Sequence, residues 1–415
     1  MKKLLKKLLL IFFVLFFSNA FSQNWTLKLD GRSVWSLSSD RFNNLYAGGL
    51  TGANSRIWKS TNQGTTWDTI YIGTGATMWG FGFDTIGTPG NMYVANFSSG
   101  LLKSTNGGAN FTVIPVSAFL GKSPQGVACS KSGNLFVTTS TGFFRSTNGG
   151  ASFDTSLTGL NCLPVLVDRT DQNLVYVGVT SAGGLGIGFY RSTDNGVTFS
   201  QNLNPGKNGY NIIQKPDGTL YMISTTSPYN FDKSTNQGLT WTTMGNMPAA
   251  MRGVTYASIY NIAFVGGNGG VYYSTNEGAT FNSLNLAGSI TPVLFSGSRI
   301  FAGASGAAAG LYFYDYATSI QTNISNVPED FILYQNYPNP FNPATKIVYE
   351  LKRANFISLI IYDALGNEIK EIDNGFKNEG RHEVNFSGEN LASGLYFARL
   401  NVDGKTLTSR LVLVK

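Results

Sequence analysis

An eight-residue sequence recurs six times in this chain and constrains its fold more than any other feature. The copies follow the pattern S-T-[ND]-x-G-x-x-[WF], which always ends in a large aromatic residue. Successive copies begin 44, 42, 46, 42 and 40 residues apart. That period favours propeller blades over helical solenoids. The repeat therefore predicts a propeller.

Four positions of the octapeptide define it: the serine, the Asn or Asp, the glycine and the aromatic residue. In chain order they are Ser60, Asn62, Gly64, Trp67; Ser104, Asn106, Gly108, Phe111; Ser146, Asn148, Gly150, Phe153; Ser192, Asp194, Gly196, Phe199; Ser234, Asn236, Gly238, Trp241; and Ser274, Asn276, Gly278, Phe281. The glycine can supply positive φ, and the Ser and Asn or Asp side chains can bond the turn's own backbone. Only Asp194 keeps a carboxylate, and an amide cannot serve as acid, base or charged metal ligand. We interpret the octapeptide as a structural turn.

The segments between the copies repeat a second pattern of short strands. An apolar strand and a turn precede a second strand, such as NLYAGGL from Asn44 or NLFVTTS from Asn134. A third strand enters the octapeptide, and a fourth starts at its aromatic residue. Counting second strands gives seven units, and the seventh lacks an octapeptide. NWTLKLD from Asn24 resembles the fourth strands, so we expect it to complete the seventh unit and remove an exposed sheet edge.

These patterns predict an all-β protein with a seven-bladed β-propeller at residues 23–325, closed by the N-terminal strand, followed by a small immunoglobulin-like β-sandwich. The octapeptides resemble the Asp-box, also called the BNR repeat. That repeat occurs in sialidases, sortilin-type receptors, xyloglucan-degrading propellers and photosystem assembly factors. The resemblance covers residues from about 24 to 325.

The first 22 residues resemble a secretory signal peptide. Four lysines precede an apolar run from Leu8 to Phe17, and small or polar residues follow. Those lysines supply four of the formal +7 charges, which leaves +3 without them. No Lys or Arg cluster stands out, so we expect no nucleic-acid partner. Cys129 and Cys162 are the only cysteines, and their pairing is possible but not required.

The C-terminal segment differs in composition from the repeats. Residues 326–332 are interpreted as a linker, and residues 333–415 carry 19 charges against 30 in residues 23–332. The segment resembles the type A C-terminal sorting domain of type IX secretion cargo from Bacteroidetes-like bacteria. The matched positions include Tyr362, Gly366, Gly394, Tyr396 and the terminal Lys415. The resemblance implies export by the type IX machinery. The alternative is an immunoglobulin-like module of unrelated purpose.

Catalytic groups are not apparent in the repeats. A sialidase would need an arginine cluster and a tyrosine with a partner glutamate, yet Glu277 is the only glutamate among the repeats and lies in an octapeptide. Asp40, Asp84 and Asp168 each end a first strand, where turn capping is the favoured interpretation. The single histidine, His382, lies in the C-terminal segment, and no spacing indicates a metal or cofactor.

A binding surface is the remaining functional hypothesis. We align the first strands on their last residues, and the first column reads Trp35, Trp79, Gln125, Leu163, Tyr210, Arg252 and Ile290. These residues differ in chemistry although the octapeptides barely change. We expect them, with the loops 50–55, 116–122, 180–188 and 225–229, to form a pocket or docking face near the central channel. The alternative is that the aromatic members are inter-blade core.

The resulting functional hypothesis is a secreted or cell-surface propeller, without catalytic residues or cofactor, that binds a glycan or a protein and supports adhesion. The alternatives are an extracellular glycoside hydrolase, which needs two facing carboxylates, and an assembly or scaffold factor for surface proteins. No transmembrane segment is expected once the signal is removed.

Overall fold

The computed structural model describes residues 25–75, 77–84, 90–180, 186–200, 202–316, 331–402 and 405–415. The proposed signal peptide and most of the proposed linker lie outside these ranges. The chain divides into two compact units, residues 1–257 with 261–314, and residues 258–260 with 315–415. Among the described residues, no helix is long and apolar enough to span a membrane.

The first unit is built from short antiparallel strands. In chain order they are β1 Thr26–Leu27, β2 Ser33–Ser39, β3 Leu45–Thr51, β4 Asn54–Ser60, β5 Asp68–Thr74, β6 Met78–Phe83, β7 Met92–Asn96, β8 Gly100–Ser104, β9 Thr112–Ile114, β10 Pro124–Cys129, β11 Leu135–Thr139, β12 Gly142–Ser146, β13 Asp154–Ser156, β14 Asn161–Val167, β15 Val175–Thr180, β16 Gly188–Ser192, β17 Asn211–Gln214, β18 Leu220–Ile223, β19 Asn230–Ser234, β20 Thr242–Asn246, β21 Met251–Ala257, β22 Ile262–Gly267, β23 Gly270–Ser274, β24 Asn282–Ser283, β25 Ser289–Ser296, β26 Arg299–Ser305 and β27 Gly310–Asp315. Short 3-10 helices span Val116–Phe119, Ser258–Tyr260 and Gly306–Ala308.

These strands form seven sheets, numbered here in chain order. Sheets 1 to 6 are β2–β5, β6–β9, β10–β13, β14–β16, β17–β20 and β21–β24, and each pairs consecutive strands. Sheet 7 has the order β1-β27-β26-β25, so the N-terminal strand pairs with the last strand of the repeats, Thr26 opposite Phe313. The observed pairing agrees with the expected role of the N-terminal strand.

Sheet 4 has three assigned strands, because side chains replace part of its fourth. The Ser200 amide donates to Arg191 O and the Leu203 amide donates to Phe189 O. In return, the Phe189 and Arg191 amides donate to the side-chain oxygens of Asn202 and Ser200 rather than to backbone carbonyls. The edge of sheet 4 is therefore covered by a hydrogen-bonded segment.

Neighbouring sheets pack face to face through apolar side chains. The first strand of each sheet contacts the first strand of the next, and β2 of sheet 1 also contacts β25 of sheet 7. The buried clusters combine side chains from two adjacent sheets, as Tyr46 and Ile57 of sheet 1 do with Met92 and Val94 of sheet 2. The core of the first unit therefore lies between the sheets, at their interfaces.

Each octapeptide closes its turn through its own side chains. In the first copy, Ser60 Oγ donates to Asn62 Oδ1 at 3.0 Å and accepts from the Gly64 amide at 2.9 Å. Asn62 Oδ1 also accepts from the Thr66 amide. The glycines have φ between 77° and 93°. The preceding residue is also left-handed in every copy, from Gln63 at 55° to Gly107 at 68°, a feature that the sequence pattern did not reveal.

The octapeptides also fasten each sheet to the preceding one. The aromatic residue packs nearly edge-on against a ring from the previous sheet, as Trp241 does on Phe189 with centroids 4.7 Å apart and Phe281 on Phe231 at 5.4 Å. The glycine faces the same partner, and a Cβ on Gly238 would overlap the buried Phe189 ring. The octapeptide is therefore an inter-sheet joint as well as a turn.

Basic side chains add a second joint between the same sheets. The residue before the octapeptide serine reaches the octapeptide of the next sheet: Lys103 Nζ donates to Gly149 O at 2.7 Å, and Arg145 Nε donates to Asn195 O at 2.8 Å. Lys59 likewise donates to Gly107 O, while Arg191 and Lys233 donate to the side-chain oxygens of Gln237 and Glu277. We call these five hydrogen-bonded side chains the basic joints. Their contacts place the arginines and lysines at the interfaces between sheets.

The second unit consists of two antiparallel sheets around one core. Its strands are β28 Phe331–Leu333, β29 Ala344–Leu351, β30 Asn355–Asp363, β31 Glu368–Lys377, β32 Gly380–Ser387, β33 Gly394–Val402 and β34 Lys405–Leu413. The sheets have the orders β28-β29-β32 and β31-β30-β33-β34. Phe331 is fully buried in the shared core, so strand pairing begins two residues before the expected boundary at residue 333.

Both cysteines are unpaired thiols. Cys129 ends β10 of sheet 3, and Cys162 is buried in β14 of sheet 4. Burial raises the pKa of the Cys162 thiol to about 12 and also raises the pKa of the Cys129 thiol. Both side chains therefore remain protonated and act as small apolar groups.

Candidate binding site at the first strands

Six of the seven predicted column residues line a single cavity. It has a volume of about 390 Å³ and is bordered by the first strand of every sheet in the first unit. The predicted residues in its wall are Trp35, Trp79, Gln125, Leu163, Tyr210 and Arg252. These six residues are far apart in the sequence but lie around the same cavity.

A β-bulge presents most of these residues. In sheet 1, Val34 pairs with Gly49 and Ser36 pairs with Gly48, so Trp35 has no opposite residue. The same interruption occurs at Trp79 in sheet 2, Gln125 in sheet 3 and Arg252 in sheet 6. In sheet 4 it includes Leu163 and Pro164. A bulge redirects the extra side chain out of the regular alternation; here it is repeated around the cavity.

The expectation for sheet 7 was wrong by one residue. Ile290 pairs with Ala304, is fully buried and does not line the cavity. The bulge lies at Thr291 and Pro292, and Thr291 lines the cavity instead. Strand β25 continues to Ser296, one residue beyond the end assumed in the alignment. Each aligned position of this strand is therefore shifted by one residue.

Three aromatic rings connect the cavity to the molecular surface. The Trp35 and Trp79 rings are tilted against each other with centroids 6.3 Å apart, and Trp79 lies 6.3 Å from Phe97. Phe97 follows β7 directly and is 40% exposed. The tryptophans therefore belong to a continuous aromatic surface that begins in the cavity and reaches solvent.

On sheets 5 and 6 the cavity wall is polar and basic. Burial raises the pKa of the Tyr210 hydroxyl, and the positive charge of Arg252 opposes that rise, which places the two side chains within electrostatic range. Asn211 Nδ2 donates to Arg252 O at 3.1 Å and ties the two sheets together through the backbone. The Arg252 guanidinium forms no ion pair within the described part of the chain.

Several buried polar atoms of the cavity residues have no hydrogen-bond partner within the part of the chain that the structure describes. They are Trp35 Nε1, Ser36 Oγ, Trp79 Nε1, Gln125 Oε1 and Thr291 Oγ1. A buried unpaired donor or acceptor costs roughly 1–3 kcal/mol. Such groups are rare in folded proteins, and each of these atoms has less than 1 Å² of accessible surface, so none of them is exposed in the cavity.

The predicted loops lie at the same end of the sheets as the cavity residues. Because the strands alternate in direction, the loop before each first strand and the loop after each second strand share that end. The loops 50–55, 116–122 and 225–229 therefore border one face, while 181–185 of the loop 180–188 fall outside the described residues. Leu120 in the second loop is 70% exposed.

The strand-ending aspartates lie at the opposite end of the first strands. Asp40 follows Trp35 by five residues, roughly 16 Å along a strand. Asp40 accepts from the Phe42 and Asn44 amides, and Asp168 accepts five hydrogen bonds. These carboxylates cap turns. No Asp or Glu lines the cavity, and the described residues contain no metal-binding cluster of His, Cys, Asp or Glu.

The residues matched to a sorting domain occupy turns and strand ends of the second unit. Gly366 has φ of 82° in the turn between β30 and β31, Gly394 begins β33, and Tyr362 lies in β30. Tyr396 is buried and its hydroxyl donates to Ala392 O at 2.8 Å. The Lys415 amide donates to Ser393 Oγ at 3.0 Å, which fixes the last residue. The segment that precedes β29 helps to hold β34, because Phe341 exchanges backbone hydrogen bonds with Val412 and Val414.

Two protein families match the chain. Residues 19–306 match the family described as photosynthesis system II assembly factor YCF48, and residues 335–415 match the secretion system C-terminal sorting domain. A search of curated proteins found no match.

Solved structures with the same fold include YCF48 proteins and the extracellular domains of bacterial proteins. A structure titled "YCF48 bound to D1 peptide" covers 70% of this chain and 96% of its own, at 16% identity and a TM-score of 0.52. YCF48 from Cyanidioschyzon merolae covers 71% and 99%, at 16% identity and 0.53. The extracellular domain of a hybrid two-component system from B. thetaiotaomicron covers 94% of this chain and 57% of its own, at 13% identity and 0.54. These likenesses show a propeller fold.

Proposed function

This chain belongs to the photosynthesis system II assembly factor YCF48 family and carries a secretion system C-terminal sorting domain, and we propose that it is an exported module that binds a segment of another protein. The observation that carries the proposal is the cavity, whose wall varies chemically from sheet to sheet while the octapeptide framework is repeated. The extracellular relatives and the sorting domain support a secreted or cell-surface location.

We infer that the seven sheets are the blades of one seven-bladed propeller, closed by the pairing of β1 with β27. Contacts of each first strand with the next, and of sheet 7 with sheet 1, support this arrangement. We further propose that residues 1–22 are a signal peptide and that residues 333–415 form an immunoglobulin-like sandwich recognised by the type IX machinery. Two antiparallel sheets sharing one core support the latter proposal.

A protein segment fits the exposed groups around the cavity. Phe97 packs against Trp79 of the cavity wall and is 40% exposed, and Leu120, in a loop at the same end of the sheets, is 70% exposed. Aromatic and aliphatic groups around a small pocket are the anchors that protein partners use. A peptide-bound structure in the same family is consistent with this class of ligand. Among protein-binding roles, membership in this family favours that of an assembly factor.

A glycan is the second candidate ligand. The tilted Trp35 and Trp79 rings offer the apolar faces that sugars also use. A glycoside hydrolase would further require two facing carboxylates. Adhesion would follow from either class of ligand if the chain stays at the cell surface.

Backbone strain at Leu120 marks the loop at this face. Leu120 has φ of 53° and ψ of 35°, a left-handed conformation that bulky residues rarely adopt and that costs about 1–2 kcal/mol. The neighbouring Phe119 is fully buried and anchors the loop, whereas the Leu120 side chain faces solvent. A strained, exposed leucine is better explained by contact with a partner than by stability of the free chain.

We expect Leu120→Gly to reduce the affinity for a bound peptide by about tenfold while leaving the unfolding free energy unchanged or slightly higher. The measurement screens the full chain against a random library of short linear peptides and a glycan array, followed by titration of the best binder and urea unfolding. Val197→Ala is the matched control, because Val197 is 54% exposed on an octapeptide turn at the other end of the sheets.

The screen separates the candidate functions. Peptide binding that Leu120→Gly weakens and Val197→Ala does not would support the proposal. Binding confined to glycans would favour the second candidate, and release of sugar from a polysaccharide substrate would favour the hydrolase. An affinity for peptides that is equal in all three proteins would remove Leu120 from the docking face.

A further inference from the structure

The charge of the cavity wall indicates which part of a partner enters it. Among the described residues lining the cavity, Arg252 is the only charged one, and no carboxylate is present. Arg252 also lacks an ion-pair partner elsewhere in the described chain. A guanidinium is always charged at physiological pH and offers five N–H donors. The wall therefore provides an unopposed positive charge beside a pocket closed on its sides by seven strands.

The donor character of Arg252 points to a ligand that accepts hydrogen bonds. Its guanidinium has only N–H donors and no acceptor. A carboxylate has about four acceptor positions and no donor when ionised, so it complements Arg252 in both charge and hydrogen bonding.

The remaining lining residues favour an acidic side chain over a small free anion as the ligand. The two tryptophan rings, Tyr210 and Leu163 are apolar surfaces that a methylene stem can contact. A volume of about 390 Å³ exceeds that of a carboxylate alone and accommodates a side chain with part of its backbone. Charged pairs in such enclosed settings are stronger than on open surfaces.

We propose that the cavity holds the carboxylate of an Asp or Glu side chain from the bound protein segment, paired with Arg252. This inference rests on the proposed function, since it names the anchoring group of the protein ligand. The exposed Phe97 and Leu120 then contact the flanking residues of the same segment. The acidic residue provides specificity, and the apolar contacts provide surface area.

The test selects binders of the full chain from a random library of short linear peptides and compares each selected peptide with its Glu→Gln or Asp→Asn counterpart. We expect an acidic residue at one shared position, and a loss of about tenfold or more in affinity when it becomes an amide. Arg252→Gln should cause the same loss for the acidic peptide and remove the difference between the two peptides.

Arg169→Gln is the matched control, because it removes the same charge from an exposed position at the opposite end of a first strand. Only the Arg252 backbone carbonyl takes part in the described inter-sheet hydrogen bond, so Arg252→Gln should keep the native melting temperature. Selected peptides without an acidic preference would overturn the carboxylate inference and leave the proposed function standing. A library that yields no binder would overturn both.

Discussion

Gly238→Ala should destabilise the first unit by about 2 to 4 kcal/mol. Gly238 has φ of 81°, which alanine tolerates poorly, and its missing side chain leaves room for the buried Phe189 ring of the preceding sheet. A methyl group there would overlap that ring, so the joint between sheets 4 and 5 would have to open. Urea-induced unfolding, followed by tryptophan fluorescence, measures the change.

Gly206→Ala separates the two causes. Gly206 has nearly the same φ, 79°, but nothing lies within 4 Å of the position that its Cβ would occupy. This control should lose only about 1 kcal/mol, the cost of the left-handed conformation. If both substitutions destabilise equally, the octapeptide glycine serves the turn alone, and the inter-sheet joint contributes nothing at this position.

Asp168→Ala should cost about 3 to 5 kcal/mol, because it removes the acceptor of a buried network. Asp168 is 1% exposed and accepts from Tyr176 Oη at 2.7 Å, from Gln214 Nε2 of sheet 5 at 2.6 Å, and from the amides and hydroxyl of the turn that follows it. The substitution leaves the Tyr176 and Gln214 donors unpaired. Asp154→Ala is the control, because the Asp154 side chain is 87% exposed and its ion pair with Arg145 is long, at 3.7 Å. We expect this substitution to change the unfolding free energy by no more than about 0.5 kcal/mol.

The same residue predicts an acid dependence of stability. Hydrogen bonds in the folded state lower the pKa of Asp168 to about 2 from the ordinary 3.8, although burial alone would raise it. Because the folded pKa is the lower one, the stabilisation is fully present above about pH 5 and is lost as the pH falls towards 2. The difference amounts to about 2 kcal/mol. The difference in unfolding free energy between wild type and Asp168→Ala should therefore be about 1 kcal/mol smaller at pH 3 than at pH 7. A difference that does not change with pH would contradict this origin.

Much of the strand order could be predicted from the sequence, because it depends on local signals. Alternating apolar residues and turn residues recur in every unit, and the octapeptides mark the junction of the third and fourth strands wherever they occur. The pairing of β1 with the last strand of the repeats followed from the similarity of the N-terminal segment to the fourth strands. These features need no knowledge of which strand faces which.

The bulges could not be predicted, because a bulge is a property of two strands in register. Trp35 looks like an ordinary member of its strand until Val34 and Ser36 are seen to pair with adjacent residues of β3. The misplacement of the sheet 7 position at Ile290 arose because the alignment ended that strand one residue too early. Aligning the strands on Ser36, Gly126 and Pro292, which directly follow the cavity residues Trp35, Gln125 and Thr291, would have placed the column correctly.

The basic joints left a signal that composition alone did not reveal. A Lys or Arg precedes the serine in five of the six octapeptides, whereas Tyr273 occupies this position in the sixth. Taken singly, these residues form no cluster in the sequence. Their acceptors lie one repeat later, so the pattern acquires meaning only when successive repeats are placed side by side.

The joints also run in one direction, and this has a consequence for how the first unit opens. Each octapeptide contacts the sheet before it, and Arg299 Nη1 of sheet 7 donates to Gln63 O of sheet 1. Sheet 7 has no octapeptide to contact sheet 6. Between sheets 6 and 7, Trp25 Nε1, next to β1, donates to Leu284 O at 2.9 Å instead. Local opening should therefore cost least at this seam, so amide hydrogens on the outer strands of sheets 6 and 7 exchange with solvent before those of sheets 3 and 4.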